Sequence, residues 1–267
     1  MRGEMNTDPV EGEFFTPQRL TESLVREAIQ NSLDAKLPQS QLRMRFALSG
    51  SSNRLPPEKA RRYCEGLRPH IEKVAADYSL PREDEPMNFL VIEDFGTRGL
   101  CGDPEQAFDS DTSGPKNDFY YFWRNIGRSS KREAERGRWG LGKTVFPAAS
   151  RINAFFGLTI RADDRKRLLM GQAVLKTHTI GDIRYCPYGF FAEFDQEFAM
   201  PVTDQELLEN FCSDFGLKRT SEPGLSIVVP YFREEELLKD DIEQAVIMNY
   251  FYPILSRDLI VEFEEGT

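Results

Sequence analysis

The sequence predicts an α+β sandwich with a mixed, largely antiparallel sheet. Helical periodicity marks both ends of the chain, while a series of short apolar and alternating runs fills the middle. Helices flanking consecutive strands point to helices packed on one sheet, not to a regular βαβ alternation. Thr16 and Pro17 form a capping pair followed by an apolar stripe at Leu20, Leu24, Ala28 and Ile29, which predicts a helix to about Ala35. Leu42, Met44, Phe46 and Leu48 alternate with polar or small residues, predicting a half-buried strand. Residues 49–87 read as an insertion of one or two charged helices, interrupted by Pro69. Asn88–Asp94 (NFLVIED) is a buried strand by its apolar run, and Gly96, Gly99 and Gly102 break the pattern after it. Phe119–Gly127 (FYYFWRNIG) is an aromatic helix candidate. The runs RINAFFGLTI, RLLMGQAVL and YGFFAEF are strands, Thr203–Phe215 is helical, and LSIVVP is a strand. Glu234–Asn249 reads as an amphipathic helix, and LIVEFEEGT as a closing strand.

Composition removes several classes of function. The chain has 267 residues and a formal net charge of −10, which argues against coating nucleic acid with the whole surface but leaves room for a local basic patch. No apolar run approaches the ~20 residues of a membrane helix. The polar, acidic start is not a signal peptide. Cys64, Cys101, Cys186 and Cys212 are scattered without a CxxC spacing, so neither a disulfide framework nor a cysteine zinc site is expected, and a reduced, cytoplasmic compartment is the natural reading. His70 and His178 are the only histidines and lie far apart in sequence, which speaks against a His-rich metal site or a Ser-His-Asp triad.

Three clusters carry chemistry. On the first helix, Glu27, Asn31 and Asp34 fall four and three residues apart and share a face, with Gln30 beside it. A carboxylate can take a proton from water, and an amide oxygen one turn away can ligate a hard cation such as Mg²⁺. The same spacing also reads as a solvated polar face. Asp94-Phe-Gly96-Thr-Arg-Gly99 follows a buried strand. There a carboxylate can accept a hydrogen bond from a ligand amino group, and glycines let backbone come close; an ordinary strand exit has the same look. Gly137-Arg-Trp-Gly140-Leu141-Gly142-Lys143-Thr144 matches the literal P-loop pattern, but SSKREAER precedes it where a buried strand is required, so a P-loop NTPase is not the reading. A glycine-rich turn at a helix start still offers backbone N–H groups to phosphate.

In this order, E-x-x-x-N-x-x-D, D-x-G, a lid and G-x-x-G-x-G resemble the GHKL ATPases: gyrase-type topoisomerases, ninety-kilodalton heat-shock chaperones, histidine kinases and MutL-type repair proteins. The resemblance covers roughly Thr16–Pro230, and RNIGRSSK before GRWGLGK is most similar to the MORC, MutL and chaperone branches. It implies a Bergerat-type two-layer α/β sandwich with an ATP lid at 109–138. It also implies an ATPase domain at 1–232 and the start of a second, transducer-like unit, possibly truncated, at 233–267. By the same resemblance Glu27 is the general base, Asn31 the Mg²⁺ ligand, and Asp94 the acceptor of the adenine amino group. Asp34 supports the pocket floor, and Gly96 and Gly99 shape the adenine pocket. Gly137, Gly140, Leu141, Gly142, Lys143 and Thr144 meet the phosphates.

Two departures accompany the resemblance. The turn after Asp94 is one residue longer than D-x-G-x-G, and Leu225 stands where a Gly-Thr threonine is expected. Ser226, facing the other side of its strand, is not expected to replace that threonine. Arg124, Arg128, Lys131, Arg132, Arg136, Arg138 and Lys143 oppose only Glu133 and Glu135 around the lid, which suits closure over a triphosphate, a solvated loop, or a nucleic-acid patch.

What this implies is slow, Mg²⁺-dependent ATP hydrolysis driving a conformational and dimerisation switch, with a homodimer when ATP is bound. The switch would sit in a larger machine acting on nucleic acid or in prokaryotic antiviral defence, through a protein partner or C-terminal effector region. A chaperone-like ATPase and a nucleotide-binding regulatory module without turnover stay open beside it.

Overall fold

The computed structural model describes residues 17–74, 80–108, 116–124, 144–195 and 198–266. A seven-stranded sheet organises them. Its strands, in spatial order, are β11 (Leu259–Glu265), β1 (Leu42–Leu48), β2 (Phe89–Phe95), β10 (Gly224–Pro230), β3 (Ala154–Ile160), β4 (Arg167–Val174) and β7 (Tyr188–Phe191). Only β11 and β1 run parallel; the other neighbours are antiparallel. The class is therefore α+β with a mixed, mostly antiparallel sheet, as the residue pattern predicts. Two short hairpins, β5 (His178–Ile180) with β6 (Ile183–Tyr185) and β8 (Glu193–Asp195) with β9 (Phe198–Met200), stand outside the main sheet.

Alternation along the strands divides the core. Leu90 and Ile92 of β2, with Met44 and Phe46 of β1 and Ile227 and Val229 of β10, face a layer built from α1 (Pro17–Asp34), α4 (Asp118–Trp123), α5 (Val145–Ala148) and α7 (Lys239–Leu255). On the opposite face, Phe89, Val91, Phe156 and Val228 meet α2 (Pro57–Cys64), α3 (Arg68–Val74) and α6 (Gln205–Asp214). The insertion thus covers the second face, and an isolated bridge between Leu55 and Met87 closes its base. This explains why β1, expected to be half-buried, is buried almost throughout. Arg45 on β1 is tolerated there because its guanidinium pairs with Glu93 at 2.8 Å and Glu264 at 2.6 Å.

Residues from Arg233 onward, read from sequence as the opening of a second unit, are built into this one. α7 packs on α1, where the Tyr250 hydroxyl donates to the Arg26 carbonyl at 3.1 Å, and β11 pairs with β1 from Leu42↔Leu259 to Leu48↔Glu265. The helix begins at Lys239, not Glu234, and extends to Leu255. It is not amphipathic: Ile242, Ala245 and Val246 are buried, while Ile247, Met248, Phe251 and Leu255 are exposed. Its backbone departs from helical geometry at Tyr250 (φ −132°, ψ 20°), one turn before Pro253, whose ring lacks an N–H and clashes with the preceding turn.

Candidate functional site

α1 and the end of β2 meet at a cavity. Ala28, Asn31 and Ser32 of α1, with Ala35 just after it, line it at helical spacing, facing Ile92 and Asp94 of β2 with Leu225 and Ile227 of β10. Burial of Leu20, Leu24, Val25 and Ile29 fixes the rotation of α1, so the polar pair Asn31 and Ser32 is held toward the sheet. Phe122 and Phe146, both core residues, also line it. The enclosed part of the cavity measures about 60 Å³, less than the ~150 Å³ of an engineered cavity that accepts a benzene ring.

Asp94 is the centre of the arrangement and is 6% exposed. Its Oδ1 accepts from the Thr97 hydroxyl at 2.8 Å and the Leu225 backbone N–H at 2.7 Å, with the Arg219 guanidinium at 3.5 Å. Its Oδ2 lies 3.0 Å from the Ser32 hydroxyl, which is equally close to the Ala28 carbonyl and so divides one proton between two acceptors. A carboxylate offers about four lone-pair sites. Oδ1 is saturated, and Oδ2 retains capacity for one more donor on the cavity side. That is what an amino group of a ligand requires.

The backbone around Asp94 admits only glycine at three points. Gly96 (φ 83°) and Gly99 (φ 68°) adopt left-handed conformations, and a Cβ on Gly99 would lie 2.7 Å from the Thr159 hydroxyl. Gly224 (φ 144°) is packed so tightly that a Cβ would sit 2.5 Å from both Asp94 Oδ1 and the Arg219 guanidinium. The Thr159 hydroxyl accepts from Leu100 N–H and donates to the Gly224 carbonyl, both at 2.9 Å, tying the glycine turn to β3 and β10.

Behind Asp94 lies a buried ionic network that sequence reasoning missed. Arg219, 3% exposed, donates to the backbone carbonyls of Asp94, Glu222, Pro223 and Leu225, to the Ser226 hydroxyl at 2.9 Å, and approaches Asp94 Oδ1. Ser226 passes the chain on to Glu93 Oε1 at 2.8 Å, on the opposite face of β2 from Asp94. Ser226 therefore does not stand in for a threonine at Asp94, as its strand parity predicts. The hydroxyl at Asp94 comes instead from Thr97, within the longer turn. Burial lowers the Arg219 pKa from its usual value, opposed by the charges of Asp94 and Glu93. A single Arg in a stretch reading LKRTSEPG carries no sign of burial; the only available signal was two adjacent acids, Glu93 and Asp94, ending an apolar strand.

The remaining expected residues are distributed as follows. Asn31 Nδ2 donates to Glu27 Oε1 at 2.9 Å, so the predicted pair forms and the Asn31 amide oxygen has no partner among the described residues. Asp34 does not join them. It ends α1, is exposed, and its carboxylate accepts from Gln30 at 2.9 Å. Thr144 stands immediately before α5, whose Phe146 walls the cavity. Gly137, Gly140, Leu141, Gly142 and Lys143, with most of the 109–138 lid, lie outside the described residues. Arg124, counted above among the basic lid residues, is committed to packing: it donates to the Gln106 and Ala199 carbonyls and lies 4.0 Å from the Phe198 ring centroid. Phe119 and Trp123 are core residues, as expected of the aromatic run.

The two histidines, distant in sequence, are in contact. His70 Nδ1 and His178 Nε2 are 2.8 Å apart, and both rings pack on Tyr185. Among the described residues no group of three or more His, Cys, Asp or Glu side chains converges to hold a metal ion.

Fold and site together define an α+β domain in which a buried carboxylate lines a cavity with the amide of an acid–amide pair. No protein-family model matches the chain, and no curated protein matches it. Among solved structures it is similar to the ATPase region of Saccharomyces cerevisiae topoisomerase II, both bound to ICRF-187 (dexrazoxane) and as the region itself, each at 12% identity and a TM-score of 0.37 over 91% of this chain and 47% of that one. It is also similar to the ATPase and transducer domains of DNA topoisomerase II from Balamuthia mandrillaris, at 12% identity and a TM-score of 0.36 over 91% of this chain and 46% of that one. The chain spans about half the length of these structures. No helix among the described residues is long and apolar enough to cross a membrane.

Proposed function

We propose that this chain is an ATP-binding and ATP-hydrolysing domain that works as a nucleotide-driven switch, in the cytoplasm, within a larger assembly that dimerises when ATP is bound. The observation that carries the reading is that the Asp94 carboxylate lines one cavity with Asn31, whose amide donates to Glu27. Asp94 Oδ2 accepts the adenine amino group. The Ser32 hydroxyl, shared between two acceptors, adjusts to that bond. Glu27, hydrogen-bonded to Asn31, orients the attacking water and takes its proton as the γ-phosphate is displaced in line. The Asn31 amide oxygen is a hard donor suited to Mg²⁺, which favours one or two protein oxygens together with phosphates. When bound, Mg²⁺ neutralises charge developing on the phosphates.

Titration with a non-hydrolysable ATP analogue and Mg²⁺, reading affinity and mass together, tests binding and dimerisation. Glu27→Ala should keep binding and abolish hydrolysis; unchanged turnover would refute its role. Asp94→Asn should abolish binding. Because it also removes the counter-charge of Arg219, its melting temperature must be read beside its affinity, and a folded variant that still binds normally sinks the adenine assignment.

A further inference from the structure

A cavity of about 260 Å³, four times the volume beside Asp94, opens on the other face of the sheet, between the insertion helices and the start of β3. Ala60 and Cys64 of α2, Arg68 and Ile71 of α3, Ile152 and Tyr231 are among its walls. Engineered apolar cavities of ~150 Å³ accept a benzene ring, so this one has space for a larger aromatic or branched body. Its polar features are unusual for a packing defect. Tyr231 is 8% exposed, yet its hydroxyl has no hydrogen-bond partner among the described residues. Its backbone is held at φ 45°, a conformation that bulky residues avoid, by Tyr231 N–H to the Asn88 carbonyl at 2.7 Å and Arg151 N–H to the Tyr231 carbonyl at 2.8 Å.

Burial pushes both the Tyr231 hydroxyl and the Cys64 thiol up to about 12, so both stay protonated and act as donors. Arg68, half-buried, donates to Glu72 Oε1 at 3.1 Å and to the Pro81 carbonyl at 2.8 Å, and it lines the cavity with the exposed Arg61, Glu65, Arg82 and Glu83. Apolar walls, an unbonded tyrosine hydroxyl and three guanidinium groups against two carboxylates among the described lining favour an apolar body that carries an anionic group.

We propose that this cavity is a binding site for a small apolar acid, an aromatic or branched aliphatic carboxylate, whose anionic group takes the Tyr231 hydroxyl and the Arg68 guanidinium while its body fills the space beside Ala60, Ile71 and Ile152. Hydrogen bonds to a charged acceptor are the stronger kind, so the carboxylate is the discriminating feature.

The test is an NMR titration of the whole chain with 1-naphthoate and, separately, with its uncharged counterpart 1-naphthamide, following the methyl groups of Ala60, Ile71 and Ile152. Naphthoate should give saturable shifts at these methyls, and naphthamide should bind at least about tenfold more weakly. Tyr231→Phe removes an oxygen that bonds nothing in the fold, so it should leave the melting temperature unchanged and weaken naphthoate about tenfold. Ala60→Leu should fill the space and abolish binding. Absence of saturable shifts at millimolar naphthoate, shifts confined to Ala28 and Ala35 beside Asp94, equal affinity for the amide, or full affinity in Tyr231→Phe would each overturn the proposal.

Discussion

Replacing Arg219 by Met keeps the aliphatic stem and removes the guanidinium, the group on which the Asp94 site rests. The loss is not of one surface ion pair. It leaves the Asp94 carboxylate buried without its cation and strips donors from the carbonyls of Glu222, Pro223 and Leu225 and from the Ser226 hydroxyl. Removing one partner of a buried pair costs about 3–5 kcal/mol, because the uncompensated charge remains in the low-dielectric interior. For 267 residues at ~2.1 cal/mol/K per residue, the unfolding entropy is roughly 0.56 kcal/mol/K, so the melting temperature should fall by about 5–9 °C. Differential scanning calorimetry reads this directly. The double variant Arg219→Met with Asp94→Asn should be more stable than the sum of the single losses, since it removes the stranded charge along with its partner. A single variant melting within about 1 °C of the parent, or strictly additive losses, would refute the argument that Arg219 neutralises Asp94.

Gly224→Ala should destabilise by about 1–3 kcal/mol from backbone strain alone, and should also displace Asp94 and weaken nucleotide binding, measured by calorimetry; an unperturbed variant would contradict the close packing at that glycine. The His70–His178 contact predicts a pH dependence. Burial, then the charge of His178, lowers the His70 pKa below its ordinary 6.5, so the unfolded chain takes up the proton first. The stability held above about 6.5 is therefore lost as pH falls toward the lower folded value. His70→Asn should flatten the melting temperature against pH in that window, and an unchanged slope would remove the histidine pair as its cause.

Much of the fold was legible because its signals are local. The apolar run ending in Asp94, the helical spacing of Leu20, Leu24 and Ile29, and the glycines after β2 each encode their element within a few residues. Asp94 and the Glu27–Asn31 pair were legible for the same reason. What escaped depends on residues brought together from afar. Arg219 reads as a loop cation until the fold seats it behind β2. Thr97 reads as an extra residue in a familiar turn, but its hydroxyl reaches back three positions to Asp94. The two histidines meet only because the β5–β6 hairpin packs on α3. Asp34 shows the opposite failure: its spacing suits the site, but it ends the helix and turns to Gln30.

The parallel pairing of β11 with β1 has a consequence for assembly. The outer neighbour of β1 lies more than two hundred residues downstream of it, and the cover for α1 comes from α7 immediately before that neighbour. Such non-local contacts raise contact order and slow folding, because loop-closure entropy is spent before the contacts reward it. The helix that carries Glu27 and Asn31 therefore cannot be clamped until α7 and β11, some two hundred residues after it, have left the ribosome, so the acid–amide pair and its cavity come into being long after their own residues are made.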